Sequence, residues 1–173
     1  MSSLSSVYVT VGSTKFDELV RAVGSREFLQ ALAIRGFRRL VVQCGASIDV
    51  FAPPPAAAES SGIEIETFRY TNRPQHFIEQ AGLVICHAGT GSILDALHSG
   101  KPTIAVVNRS LANNHQTEIA QELAAERYLY AAEPAGLAVA VAGATGANLR
   151  PYPRADPRAI GEIIDEETLG VTS

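Results

Sequence analysis

The sequence predicts an α/β fold, a doubly wound parallel sheet. Three observations carry that expectation. Apolar runs of strand length recur along the chain and are continuous, which marks strands buried on both faces; segments with helical spacing separate them; and glycine-bearing turns follow two of the runs. Strands alternating with helices form parallel βαβ units.

The strands are expected at Val7–Val11, Arg39–Cys44, Ile63–Phe68, Leu83–Cys86, Thr103–Val106 and Tyr128–Tyr130. Between the first two, Phe16, Leu19, Val20 and Val23, then Phe28, Leu29 and Leu32, repeat at helical intervals. Phe77, Ile78 and Ala81 precede the fourth strand, Ile93, Leu94 and Leu97 follow it, and Ile119, Leu123 and Ala124 follow the fifth. Residues 52–61, Ala-Pro-Pro-Pro-Ala-Ala-Ala-Glu-Ser-Ser, read as an exposed loop, because the prolines interrupt a strand and oppose a stable helix. The expected organisation is a Rossmann-like α/β domain over 1–130, a loosely ordered Ala/Gly/Pro-rich connector over 131–155, and a C-terminal helix and tail over 156–173. Asp156-Pro157 is a helix start, and Ile160, Ile163 and Ile164 give that helix an apolar stripe to dock on its own domain or on a partner.

Composition narrows the function. With 173 residues, 46% of them hydrophobic, the chain has the material for one core. Its 18% charge is below the usual fraction of about 25%, as for a surface partly covered by another molecule. A net charge of -4 with scattered basic residues argues against nucleic-acid binding. Met1–Ser6 lacks the features of a signal peptide, and the small apolar run Leu137–Ala147 is too short for a membrane span. Cys44 and Cys86 each end an apolar run and read as buried thiols in a reducing compartment; their count and spacing exclude a disulfide framework or a cysteine zinc site.

Ligands of open parallel sheets bind beyond the carboxyl ends of the strands, where strand order reverses. With the order 3-2-1-4-5-6, that point lies between the first and fourth strands, so Gly12-Ser13-Thr14 and His87-Ala88-Gly89-Thr90-Gly91-Ser92 fall side by side. The second turn opens a helix whose first N–H groups, at Thr90, Gly91 and Ser92, form a phosphate site by geometry and dipole. Leu94 stands where a dinucleotide fingerprint has its third glycine, which disfavours NAD or FAD, and no P-loop sequence occurs. Asn113, Asn114 and Gln116 follow the fifth strand and suit a sugar or a base.

His87-Ala88-Gly89-Thr90-Gly91-Ser92, then Asp95-Ala96-Leu97-x-x-Gly100-Lys101-Pro102, then Asn113-Asn114-His115-Gln116-x-Glu118-x-Ala120, follow the opening Val9-Thr10-Val11-Gly12-Ser13-Thr14-x-Phe16-Asp17. Together these motifs resemble the catalytic subunits of dolichol-pathway UDP-N-acetylglucosamine transferases. Those subunits are similar to the C-terminal, donor-binding half of the bacterial glycosyltransferase that makes lipid II. The resemblance covers about residues 7–130, and Pro151-Tyr152-Pro153-x-Ala155-Asp156-Pro157 is similar to the same subunits' tail.

The resemblance implies a single Rossmann-like donor half of a GT-B glycosyltransferase. It implies UDP-GlcNAc as donor, GlcNAc-diphosphodolichol as acceptor, inversion at the anomeric carbon, and no cofactor or required metal. It further implies a membrane-anchored subunit that supplies the acceptor half and recruits this otherwise cytoplasmic chain to the cytosolic face of the endoplasmic reticulum. On that basis Gly12, Ser13, Thr14, Gly89, Thr90, Gly91 and Ser92 cradle the diphosphate. Asp95, where the family usually has Glu, accepts the ribose hydroxyls. Asn114 and Gln116 face the sugar, Asn113 and His115 support their loop, and Glu118 is a sugar contact or a charge favouring the helix dipole. His87 is a phosphate donor, a packing residue that shapes the glycine loop, or the general base, the base otherwise lying on the partner. Lys15 and Arg109 neutralise phosphate or are surface charges; His76 and His98, on helices without convergent ligands, read as solvated or half-packed. The alternative function is a non-catalytic nucleotide-sugar-binding scaffold or sensor.

Overall fold

The computed structural model describes residues 6–110 and 114–153, without the side chain of Asn114. The chain forms a six-stranded sheet of order β3-β2-β1-β4-β5-β6. Its strands are β1 (Ser6–Thr10), β2 (Arg39–Gln43), β3 (Glu64–Phe68), β4 (Leu83–His87), β5 (Thr103–Val106) and β6 (Tyr130–Ala132). Every neighbouring pair is parallel. The helices are α1 (Asp17–Val23), α2 (Arg26–Ile34), α3 (Pro55–Ser61), α4 (Pro74–Gln80), α5 (Thr90–His98), α6 (Asn114–Ala125) and α7 (Leu137–Gly143).

Side chains alternate across a strand, so β1 feeds two cores. Val7, Val9 and Val11 pack with Leu19, Phe28 and Leu32 of α1 and α2 on one face. Tyr8 turns to the other face, with Val41, Ile78, Val84 and Ala96. Cys86, Ile93, Ala105, Ala120 and Leu129 continue that second face toward α5 and α6. Both cysteines are buried free thiols, and burial pushes Cys44 up to about 11 and Cys86 up to about 12.

Three expectations differ from the structure. Residues 52–61, expected as an exposed loop, contain α3. Pro55 occupies the first turn, where a missing N–H costs no helical hydrogen bond. The following alanines have the highest helix propensity, and Gly62 ends the helix at φ 66°. Ala57 is buried in the first core.

The last strand starts two residues later than expected, at Tyr130 rather than Tyr128. Helix α6 closes with a Schellman pair, Arg127 N–H to the Ala124 carbonyl and Tyr128 N–H to the Leu123 carbonyl, both 3.0 Å. Arg127 takes φ 61° there, a position usually given to glycine, so the sequence carries no stop signal.

Residues 131–153, expected within a loosely ordered connector, hold β6, α7 and two 3-10 turns, at Pro134–Gly136 and Gly146–Asn148. The Ala-Val repetition is the pattern of α7: Leu137 and Val141, one turn apart, enter the first core, while Val139 faces outward. Arg35, the residue that ends α2, donates from Nη1 to the carbonyls of Val141 and Ala144, each at 2.6 Å, and so caps the end of α7. The Tyr130 hydroxyl donates to the Thr145 carbonyl at 2.8 Å and accepts from the Thr145 N–H at 3.2 Å. The expected C-terminal helix beginning at Asp156 lies outside the described residues.

Candidate functional site

The carboxyl ends of β1 and β4 lie side by side, with Thr10 paired to Cys86. Beyond β1 the chain turns at Gly12, whose φ of +63° favours a residue without a side chain. The Gly12 N–H donates to Thr10 Oγ1 at 3.0 Å, and the Thr14 hydroxyl closes the turn on the Val11 carbonyl at 2.8 Å. Gly45 supports the turn from beneath: it has φ +54°, and a Cβ there would stand 2.7 Å from the Thr14 carbonyl oxygen.

His87 joins the two predicted glycine turns. A Cβ on Gly12 would come 2.6 Å from His87 Cε1, and a Cβ on Gly89 would come 2.3 Å from His87 Nε2. The imidazole is thus a wedge between the turns, and both glycines are required by its bulk. Only 8% of His87 is exposed, and Nδ1 is enclosed without a well-formed hydrogen bond. Burial lowers its pKa below the ordinary histidine value, with the nearby Thr10 carbonyl opposing in part. The ring is therefore neutral at pH 7.

Gly91 differs from Gly12 and Gly89. A Cβ there would meet nothing within 4 Å, so the packing of this chain does not require glycine at that position. It lies in the first turn of α5, after the extended N-cap Gly89. The first intrahelical bond runs from the Ile93 N–H to the Gly89 carbonyl at 3.0 Å. Among the described residues no acceptor meets the N–H groups of Thr90, Gly91 and Ser92. Three donors and the positive end of a nine-residue helix converge beneath open space.

Of these donors Ser92 lines a cleft of about 260 Å³, whereas Thr90 and Gly91, like Thr14, His87 and Gly89, are not among its lining residues. Gly12, Ser13, Ser92 and Asp95, all singled out in the sequence, line it. So do Tyr8, Thr10, Gln43, Tyr70, Thr71, Pro74, Ile78 and Val84, which were not. Tyr8 stacks on Phe77 with ring centroids 5.5 Å apart. Its hydroxyl donates to Gln43 Oε1 at 3.1 Å, and Gln43 Nε2 donates to the Gly12 carbonyl at 2.9 Å. Gln43 carried a legible signal, as a polar residue inside the apolar run Arg39–Cys44. Tyr70 and Thr71 carried none, because a loop after an edge strand shows no periodicity.

The α6 residues lie apart from this cleft. Gln116 is half-buried and Glu118 exposed in the first turns of α6, and neither lines the cleft. Asn113 lies outside the described residues, and Asn114 is placed only as the first residue of α6. A smaller cavity of about 190 Å³ adjoins this helix, between Val107, Arg109, Thr117, Gln121 and residues 131–133. Arg109 is ion-paired with Glu133, and Lys15 Nζ lies 3.6 Å from Asp17 Oδ2, so both cations have carboxylate partners. His76 shares a hydrogen bond with Gln80, and the His98 ring lies against Tyr152. Among the described residues there is no group of three or more His, Cys, Asp or Glu able to hold a metal ion, and no helix long and apolar enough to cross a membrane.

Comparison with known proteins agrees with this architecture. The glycosyltransferase family 28 C-terminal domain matches residues 6–164. The UDP-N-acetylglucosamine transferase subunit ALG13 of Eremothecium gossypii is 35% identical over 191 aligned positions, covering 96% of this chain and 94% of that protein. The human protein of the same name is 41% identical over 124 residues, which are 72% of this chain but 11% of the human one. The chain thus spans about a tenth of the length of its human and mouse relatives. The NMR solution structure of ALG13 superposes with a TM-score of 0.69 at 27% identity, covering 92% of this chain and 94% of that one. MurG from Acinetobacter baumannii, at 18% identity and a TM-score of 0.60, shares the fold over 80% of this chain and 39% of its own. A parallel sheet of order 3-2-1-4-5-6, two glycine turns meeting on one imidazole, and a domain match over all the described residues lead to one assignment: the chain belongs to the glycosyltransferase family 28 C-terminal domain family, in its ALG13-like branch.

Proposed function

We propose that this chain is the donor-binding, catalytic subunit of an inverting N-acetylglucosaminyltransferase that passes GlcNAc from UDP-GlcNAc to GlcNAc-diphosphodolichol. The observation that carries the reading is the set of free N–H groups at Thr90, Gly91 and Ser92, facing open space at Gly91 beside the Gly12 turn. Such a cradle suits a diphosphate, whose negative charge increases as the bond to the anomeric carbon breaks. Donors fixed before the reaction stabilise that charge without reorganising, and their effect is larger in the transition state than in the ground state.

Each part of the cleft then has a role. Gly12, Ser13 and Thr14 close over the diphosphate from the β1 side, and Gly89, Thr90, Gly91 and Ser92 from the β4 side. Asp95, one turn into α5 and lining the cleft, accepts the ribose hydroxyls. The nucleoside extends past it toward Tyr70 and Thr71, above the apolar surface of Tyr8, Ile78 and Val84. GlcNAc leaves the diphosphate toward the β5 side, where Asn114, Gln116 and Glu118 lie in the first turns of α6, with Asn113 preceding them in the sequence. His87 serves as the neutral spacer between the two turns, mostly buried and wedged against both glycines. The general base and the opposite wall of the cleft come from a second, membrane-anchored subunit, which holds the lipid acceptor in line and excludes water. That subunit recruits the chain to the cytosolic face of the endoplasmic reticulum. The names of the ALG13 relatives, each a UDP-N-acetylglucosamine transferase subunit, support the donor and the need for a partner.

The test is transfer of labelled GlcNAc from UDP-GlcNAc to a short-chain GlcNAc-diphospholipid, by this chain alone and by this chain co-expressed with the membrane subunit. Product from the pair alone supports a split glycosyltransferase. A well-formed complex that binds UDP-GlcNAc and yields no product rejects catalysis in favour of a nucleotide-sugar-binding module.

A further inference from the structure

The Gly12 turn is held by side chains on both sides of its first residue. Thr10 Oγ1 takes the Gly12 N–H at 3.0 Å, and Gln43 Nε2 donates to the Gly12 carbonyl at 2.9 Å. Gln43 is itself 7% exposed and Tyr8 1%. A carbonyl can only accept, so the end of Gln43 facing Gly12 is its NH₂ group. Its Oε1 must then face Tyr8, whose hydroxyl donates to it at 3.1 Å. Burial pushes the Tyr8 phenol up to about 12, with a hydrogen bond to Thr10 opposing, so Tyr8 keeps its proton throughout the neutral range.

Anchoring the carbonyl has a consequence one atom further along. The Gly12–Ser13 peptide is planar and trans, so the Ser13 N–H points opposite to the Gly12 carbonyl. In the order β2-β1-β4 the carbonyl is drawn toward Gln43 on β2, which turns the Ser13 N–H toward β4, where α5 begins. That N–H has no acceptor among the described residues. Resting on the donor-site reading above, we infer that Gln43, oriented by Tyr8, is a positioning residue that aims the Ser13 N–H at the same diphosphate held by the Thr90–Ser92 amides. Gln43 has both polar ends occupied, so its effect on the phosphates is exerted through the peptide plane.

The test compares UDP with uridine, which lacks the phosphates, on the full chain by calorimetry and by ¹⁵N amide shifts. Gln43→Met keeps the length and loses the donor; Gln43→Glu keeps the shape and presents a second acceptor to the Gly12 carbonyl; Tyr8→Phe keeps the ring stack and frees the amide. The expected result is a UDP-to-uridine affinity ratio lowered at least tenfold in both Gln43 variants and several-fold in Tyr8→Phe, with the UDP-induced shift of the Ser13 amide reduced in each. A merely structural role moves both ligands together and leaves that ratio unchanged. An unchanged ratio in the folded variants, with wild-type UDP binding intact, overturns the inference alone. Failure of the wild-type chain to bind UDP overturns the donor-site reading and this inference with it.

Discussion

Gly89 and Gly91 stand two residues apart in one turn, and the structure assigns them opposite tasks. Gly89→Ala would place a Cβ 2.3 Å from His87 Nε2 and 3.0 Å from Cδ2 and Cε1. The imidazole is confined on its other side by the Gly12 turn, where an added Cβ would likewise stand only 2.6 Å from Cε1. Overpacking of this kind costs about 1–3 kcal/mol. For a domain of this size each kcal/mol moves Tm by roughly 2–4 °C, so Gly89→Ala is expected to melt ~2–12 °C lower. Gly91→Ala meets no atom within 4 Å and no left-handed backbone, so it removes a glycine from a helical turn at no steric cost. Its stability is expected to hold or rise by about 0.5 kcal/mol, a Tm change of roughly 1–2 °C. The same methyl occupies the space a diphosphate must enter, and UDP-GlcNAc affinity is expected to fall at least about tenfold, ~1.4 kcal/mol. Thermal melts and UDP-GlcNAc calorimetry on the two variants provide both readings. A stable Gly91→Ala chain with wild-type affinity refutes the cradle, and a Gly89→Ala chain that melts with the wild type refutes the wedge.

The wedge predicts a pH effect as well. The His87 imidazole titrates below its ordinary value in the folded chain, whereas the unfolded chain takes up the proton near pH ~6.5. Stability attached to the neutral ring is therefore complete above that pH and is lost as pH falls toward the lower folded value. Tm measured from pH 8 to pH 5 should decline less in His87→Gln than in the wild type, and parallel curves would contradict the assignment. Arg35→Gln should uncap α7, lowering stability by about 1–3 kcal/mol and accelerating hydrogen exchange in residues 137–144; exchange unchanged there would remove Arg35 from that role. Cys44 and Cys86, buried and with thiols held well above neutral pH, should resist a thiol reagent in the native chain and react only on unfolding; rapid native labelling would contradict their burial.

The parts of this molecule legible in its sequence are those where one physical requirement acts alone. Runs such as Leu83–Cys86 are apolar throughout because both faces of the strand are covered, and they disclosed the parallel sheet; the order expected for it is the common one for such folds, and it is the order observed. The two glycine turns were legible because few other residues tolerate φ +63° at Gly12 or the contact at Gly89. What was not legible depends on tertiary partners. Arg127 adopts a glycine's backbone at the end of α6, and its own residue type gives no sign of it. Helix α7 is held by Arg35, more than 100 residues earlier in the chain, so its short Ala-Val pattern reads locally as irregular. The β2-side wall of the cleft, Tyr8 with Gln43, comes from two strands paired in parallel, and the hydrogen bond between them exists only in the folded register. Likewise, glycine counts alone cannot separate Gly91, which faces open space, from Gly89, which faces an imidazole.

The central claim is that a nucleotide sugar binds at the β1–β4 edge, and titration of the ¹⁵N-labelled chain with UDP-GlcNAc tests it most directly. The account predicts saturable amide shifts concentrated at Gly12, Ser13, Thr90, Gly91, Ser92 and Asp95, extending to Tyr70 and Thr71. Shifts centred instead on the α6–β6 cavity around Thr117 and Gln121, or none at saturating donor, would contradict it.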